Sequence, residues 1–421
     1  MGRLTRRDFV IRSGMAAGAT MLAPRAFAQN GGTQGKFKVG AVLELSGLDA
    51  TGGQICKRGY EMWAKTVNDA GGINIGGSSY EVELIVRDCR SQAELGARAC
   101  EQLIQQDGVD AVLGAYTSGV QIAMNSIVAK YETPCIAGSA ESPENWKPQP
   151  AYTYGIIPAV DLTANKAIAE IVKIANPEAR TAAVVGADEP FSKDTAVGFR
   201  DGVEEVDLEL AYYTLFPRDA DLTPVGTRIA AASPDIVAVG GHDIMLVDMV
   251  RALKGAGFTP PALIQHYGIT DPAFVDALQK DAEGVMGISV WLSSVPYEDD
   301  VFGSAQEYTS NYKDMFGAEP DYTAAGCSTA GTVLMKALQK LGEKPGLSQS
   351  AKRQLNEIIG ETDLATFYGS VRFESSGDHF HNNTSLEPLL VQIQNGRIEA
   401  IGPSQSATAE AVYPLTPWAE R

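Results

Sequence analysis

Residues 37–88 read FKVGAVLELSGLDATGGQICKRGYEMWAKTVNDAGGINIGGSSYEVELIVRD. The stretch opens with FKVGAVLEL, an apolar run of strand length. In RGYEMWAKTVNDAGG, Tyr60, Trp63, Ala64 and Val67 recur at helical spacing, and Gly71-Gly72 supplies a C-terminal stop. YEVELIVRD is a second strand. The order strand, helix, strand continues downstream. Ser91-x-x-Glu94 has the form of a capping box opening a helix that runs through Leu103. DAVLGA is a strand, residues 119–131 form a helix, and TPCIAG is a strand. Strands alternating with helices at this spacing predict a parallel sheet covered on both faces.

A second alternating run follows. TAAVVGA, DLELAYY, PDIVAVGG and PALIQHY read as strands, with helices starting near Asp161 and Asp194 and at Asp221-x-Thr223-Pro224. The boundary between the runs falls near residues 152–158. Past EGVMGISVWL, helices are expected over 300–316, 324–341 and 350–359, and residues 369–403 read as two or three strands with turns. The chain beyond the first segment, about 390 residues, exceeds what one core usually supports, so two domains are expected. In an open parallel sheet, ligands bind beyond the carboxyl ends of the strands. The candidate loops are therefore 45–54, 116–119 and 138–142 in the first run, and 188–191, 242–243 and 266–268 in the second.

The first 28 residues read as an address. Arg6-Arg7 precedes Phe9, a mild apolar run spans Met15 to Ala23, and the segment ends in Ala-Phe-Ala. This is the form of a twin-arginine export signal cleaved after Ala28, and the run is too short to span a bilayer. The expected location is the periplasm. Removing a signal with five Arg and one Asp takes the formal charge from −18 to −22, which argues against nucleic acid or an anionic membrane surface as partner. Five cysteines, Cys56, Cys89, Cys100, Cys135 and Cys327, show no zinc-type spacing. Cys56 and Cys89 both follow strands, where they could meet as a disulfide.

At this point the sequence resembles the branched-chain-amino-acid-type (Leu/Ile/Val-binding-protein-like) substrate-binding proteins of ABC transporters. The resemblance is carried by KVGAVLELSG, RGYEMWAKTVNDAGGI, VRDCRSQAELGARACEQLI, DAVLGAYTSG, PDIVAVGG, DAEGVMG and the ending FYGSVRFESSGDHF to LVQIQNGRIEAIGP, in that order. It implies an α/β, type I periplasmic binding protein fold: two doubly wound parallel-sheet lobes joined by three crossovers. Lobe 1 is expected over 36–156 and 290–365, lobe 2 over 157–289 and 366–403, and a tail over 404–421. The resemblance further implies a monomeric receptor without a cofactor, with a membrane-embedded ABC permease as its partner.

Ligand-site positions carry over residue by residue. Ser118, preceded by Thr117, matches the serine that holds a ligand carboxylate at a helix start. Elementary electrostatics supports this independently, because a helix N-terminus offers unpaired N–H groups and a positive dipole end. A plain N-cap is the alternative. Ala140 and Glu141 match an Ala and a Thr that contact amino-acid ligands. Phe191 and His242 match aromatic positions of the second lobe. The acid that holds an α-ammonium falls on Tyr267. Leu48, Thr51 and Gln54 are candidates for lining the cleft.

Glu141 is thus either a ligand carboxylate or a surface charge paired with Lys147. Enclosed alone it would be costly, so it calls for a cation, a donor or a proton. His266, next to Tyr267, should point the opposite way by strand alternation and face the core. His379 and His381 resemble a metal pair without a third ligand, and a turn is the plainer reading. No nucleophile elbow, paired acids or metal triad points to an enzyme. The expectation is a receptor for an amino acid or amide-like solute. A carboxylate lacking an amine, or a sensor module, is the alternative.

Overall fold

The computed structural model describes residues 34–175 and 179–421. The signal segment, residues 1–28, lies outside them. From residue 34 onward the described chain forms one compact unit.

The opening stretch builds β1 (Lys36–Leu43), α1 (Ala50–Asp69), β2 (Ile73–Ile75) and β3 (Ser78–Asp88). Then come α2 (Ala93–Gln102), β4 (Ala111–Leu113), α3 (Ser118–Lys130), β5 (Cys135–Ala137) and β6 (Thr153–Gly155). These strands form one sheet in the order β2-β3-β1-β4-β5-β6. β1 lies between β3 and β4, parallel to both, and Val39, Ala41, Val42 and Leu43 are fully buried. An apolar run without polar alternation is what a strand covered on both faces requires.

The second run builds α4 (Ala164–Ala175), β7 (Thr181–Ala187), α5 (Pro190–Glu205), β8 (Glu209–Phe216) and α6 (Thr223–Ala232). It continues with β9 (Ile236–Gly240), α7 (Asp243–Gly255), β10 (Ala262–His266), α8 (Pro272–Leu278) and β11 (Met286–Ser289). After β11 the chain makes a small hairpin, β12 (Glu298–Asp299) and β13 (Gly303–Ser304). Three helices follow, α9 (Ala305–Phe316), α10 (Tyr322–Leu341) and α11 (Gln349–Gly360). α10 packs along α1, bringing the chain back to the first sheet. Next come β14 (Asp363–Thr366), β15 (Gly369–Arg372), β16 (Leu389–Gln394) and β17 (Arg397–Gly402). The second sheet has the order β17-β16-β11-β10-β9-β7-β8, with β16 antiparallel to β11 and to β17.

The segments that pass between the sheets are laced together. Asn382 accepts from the Ala159 amide at 2.9 Å and donates to the Ile157 carbonyl at 2.8 Å. Asn383 donates to the Ile156 carbonyl at 3.1 Å, and the Trp291 indole donates to the Phe367 carbonyl at 3.1 Å.

Several local expectations are corrected. The Ser91–Glu94 box does not form: α2 begins after Gln92 without a side-chain cap. The Ser91 hydroxyl instead donates to the Ser46 carbonyl and accepts from the Asp49 amide, tying down the β1–α1 loop. The second-sheet helix expected from Asp194 starts at Pro190, because Glu189 caps it and Pro fits the first turn. The helix expected from residue 300 starts at Ala305, where Ser304 and Glu307 make a reciprocal capping box. The Cys56–Cys89 disulfide does not form. All five thiols are free and buried. Cys56 on α1 neighbours Cys327 on α10, whereas Cys89 packs with Cys100 and Cys135 in a separate apolar cluster.

Candidate functional site

The carboxyl ends of both sheets meet, and the side chains there are almost wholly enclosed. Glu44 directly follows β1 and is fully buried. Its carboxylate accepts from the amides of Tyr116 and Thr117 at 3.1 and 3.0 Å and from the Thr117 hydroxyl at 2.6 Å. Burial pushes its pKa up to about 7 against the lowering effect of those bonds. Thr117 is the N-cap of α3, yet its hydroxyl makes no capping bond because it is given to Glu44.

Ser118 opens α3 and is fully buried, and its Oγ accepts from the Ser142 amide at 3.0 Å. The Ser142 hydroxyl donates in turn to Asp194 of α5, which packs on the other sheet. Burial raises the Asp194 pKa to about 6. Ala140 is buried with a left-handed φ of 70°, a conformation that residues other than glycine adopt rarely. This turn carries the following residue, Glu141, into the cleft.

Glu141 is buried. Its Oε1 accepts from the Tyr322 hydroxyl at 2.9 Å, and its Oε2 lies 3.3 Å from His266 Nε2. It is not a surface charge on Lys147, which pairs with Glu144. His266 corrects another expectation. It faces the cleft, since alternation holds only within a strand and β10 ends at His266. The peptide that follows it is cis.

His242, the N-cap residue of α7, holds its Nδ1 3.0 Å from the Tyr116 hydroxyl and its Nε2 3.5 Å from Glu189. Burial holds its pKa below the usual imidazole value. Phe191 on α5 lies against His242, with ring centroids 4.6 Å apart and the planes tilted by 32°. Tyr267 donates its hydroxyl to Asp321, the N-cap of α10, whose other oxygen accepts from the Ala324 amide at 2.8 Å. Burial pushes the Asp321 pKa up to about 7.

The structure therefore gathers Thr117, Ser118, Ala140, Glu141, Phe191, His242 and Tyr267 around one enclosed cleft. Gln54 is half-buried on α1, and among the described residues no hydrogen bond joins it to the cluster. Leu48 and Thr51 are exposed. Sequence reasoning missed Glu44, Asp321 and Tyr322, and reached Tyr116 only as the first residue of the candidate loop 116–119. Glu44 carried a readable signal, a carboxylate at the end of an apolar strand. Asp321-Tyr322 carried a weaker one, an N-cap residue ahead of a helix whose start was set at Ala324. Among the described residues, no group of three or more His, Cys, Asp or Glu could hold a metal. His379 pairs with Asp161 and His381 stacks on Tyr154.

Residues 36–397 match the family model described as periplasmic binding protein. The Leu/Ile/Val-binding protein BraC3 of Rhizobium johnstonii is 25% identical, over 87% of this chain and 95% of that protein. The branched-chain amino acid substrate-binding protein LivJ of Streptococcus pneumoniae, solved with isoleucine, superposes with a TM-score of 0.75 at 22% identity. The match covers 90% of this chain and 100% of that one. A solute-binding protein of R. palustris in complex with benzoate superposes with a TM-score of 0.73 at 20% identity, over 90% and 99% of the two chains. The superpositions show that these solved proteins share this chain's two-sheet α/β fold. The chain belongs to the periplasmic binding protein family, with the type I fold of the Leu/Ile/Val-binding proteins, and is a substrate-binding protein rather than an enzyme.

Proposed function

We propose that this protein is the periplasmic receptor of an ABC permease. It encloses a small organic solute with an amine or amide nitrogen between its two lobes and delivers it to the membrane. The observation that carries this reading is Glu141: a buried carboxylate held by Tyr322 and facing His266 across the cleft. A carboxylate so placed favours a hydrogen-bond donor or a cation opposite it. The receptor is a monomer exported by the twin-arginine route, with lobe 1 over 36–156 and 290–365 and lobe 2 over 157–289 and 366–403. The cleft closes by hinge motion about the laced crossing segments.

An aromatic acid is the second reading, favoured by the rings of Tyr116, Phe191, Tyr267 and Tyr322 and by the similarity to the benzoate-bound R. palustris protein. It is disfavoured by the carboxylates already in the cleft.

Mass spectrometry of the solute retained through native purification separates the readings. A nitrogen-bearing solute is expected, and a nitrogen-free acid would refute the first reading. Replacing Glu141 with Gln should weaken that solute's affinity at least tenfold, about 1.4 kcal/mol. Unchanged affinity would remove Glu141 from the site.

A further inference from the structure

We infer that the solute is an organic cation, a substituted ammonium without a carboxylate, enclosed by a closed circuit of aromatic rings from both lobes. This rests on the receptor reading above and narrows it to one chemical class.

The circuit can be followed from ring to ring. Tyr116 lies 5.3 Å from His242, His242 4.6 Å from Phe191, and Phe191 5.4 Å from His266. His266 lies 6.3 Å from Tyr322, Tyr322 5.4 Å from Tyr267, and Tyr267 5.9 Å from Tyr116, which closes the path. Four of the six rings are Tyr or Phe, and a cation lying against any of their faces within ~6 Å of the centroid makes a cation–π contact. Aromatic faces are electron-rich, so the arrangement attracts a positive charge that sheds its water.

The charges behind the rings have the same sign preference. Tyr322 donates to Glu141 and Tyr267 donates to Asp321. A phenol that donates to a carboxylate gains electron density on its ring, which strengthens the pull on a cation. Neither Glu141 nor Asp321 has a Lys or Arg ion-pair partner among the described residues. Arg218, whose charge is felt at His242, is paired with Asp49. Glu141 and Asp321 thus stand behind the rings without a Lys or Arg of their own, and the Arg218 charge beside His242 is taken up by Asp49.

A second observation points to a bound molecule. His266 is 1% exposed and His242 5%. His266 Nδ1 has no hydrogen-bond partner, and the Nε2 atoms of His266 and His242 face only Glu141 at 3.3 Å and Glu189 at 3.5 Å, outside hydrogen-bond geometry. Buried polar groups without partners are rare in native proteins, and these belong to rings of the circuit. A hydroxyl or N–H on the solute would satisfy them. A carboxylate on the solute fits poorly. The amides of Tyr116 and Thr117, beside the N-terminus of α3, already donate to Glu44, so the protein supplies its own carboxylate there.

The test compares charged probes with neutral partners of the same shape, by calorimetry on ligand-stripped protein. The pairs are choline with 3,3-dimethyl-1-butanol and benzylammonium with benzyl alcohol, with benzoate as the anion. The charged member should bind at least tenfold tighter in at least one pair, and Phe191→Leu should weaken that binding severalfold. Any other result in the pairs, including no binding by either cation, overturns the inference, as does tighter binding of benzoate. The identity of the retained solute keeps the two readings apart. A neutral amide removes the cation and leaves the amine-or-amide receptor standing, whereas a nitrogen-free acid removes both.

Discussion

Glu44 is the residue whose environment is most at odds with its chemistry. It is fully buried, and its pKa is raised from 4.5 to about 7. A carboxyl whose folded pKa exceeds its unfolded value binds more protons when folded. Its contribution is complete below pH 4.5 and is lost as pH rises through about 7. Asp321, raised to about 7, and Asp194, raised to about 6, act in the same direction. His381, lowered from 6.5 to about 4, and His242, also lowered, act oppositely as pH rises toward 6.5. Against these two, the three acids predict a net fall in stability, measured by chemical denaturation, from pH 5 to pH 8. Glu44→Gln should flatten that fall by about 2–3 kcal/mol. A variant with the same slope as the parent would show that Glu44 does not titrate in this window. At this scale the sequence was partly legible. Glu141 stood out because small residues and a strand end preceded it, a local pattern. Tyr322 could not be paired with it from the sequence, because 181 residues separate the partners. His266 was misplaced by carrying strand alternation past the strand's end.

At the scale of elements, the start of α1 is the tightest joint in the site. A Cβ on Gly53 would lie 2.0 Å from the Glu44 carbonyl oxygen, and one on Gly52 2.1 Å from the Tyr116 ring. Backbone cannot swing aside as a side chain can, so Gly53→Ala should be the more damaging change. It should cost about 2–3 kcal/mol by overpacking, read as a lowered Tm with weakened solute binding. A variant as stable as the parent would mean that α1 can slide away from β1. The elements themselves were largely legible. β1, α1 and β3 follow from apolar periodicity, because burial on both faces leaves a clear run of Val, Ala and Leu. The starts of α2, α5, α9 and α10 were misjudged. Helix starts depend on which side chain does the capping: Ser91 is committed to the β1–α1 loop, whereas Glu189, Ser304 and Asp321 cap α5, α9 and α10. The cysteine pairing failed for a similar reason: Cys56 lies on the helix face toward α10, away from Cys89.

At the scale of the whole molecule, the lobes are joined by polar contacts as well as by rings. Asp49, in the β1–α1 loop, pairs with Arg218, which follows β8, and Asp49 is only 1% exposed. Ser142 and Asp194 make a second link. Arg218→Met leaves a buried carboxylate without its partner, a loss of about 3–5 kcal/mol when a buried pair is broken. Opening the lobes would let water reach Asp49 and relieve it. Small-angle scattering should therefore give the solute-free variant a larger radius of gyration than the parent, with solute affinity at least tenfold weaker. Equal radii and equal affinity would show that this pair does not hold the lobes together. The two-lobed architecture was legible from alternating elements, whereas the closed arrangement was not, because it depends on contacts between residues far apart in the chain.

The aromatic circuit has one further consequence. Tyr116 and Tyr322 stand on the first lobe, and Phe191, His242, His266 and Tyr267 on the second, all 5% exposed or less. On the hinge reading proposed above, a molecule held between rings of both lobes is released as the lobes part. Its dwell time is then governed by how often the lobes part, not by how strongly any one ring holds it. Chemically different guests should leave at rates that converge on one ceiling, the opening rate of the hinge. Discrimination among them must come from how firmly each keeps the gate shut.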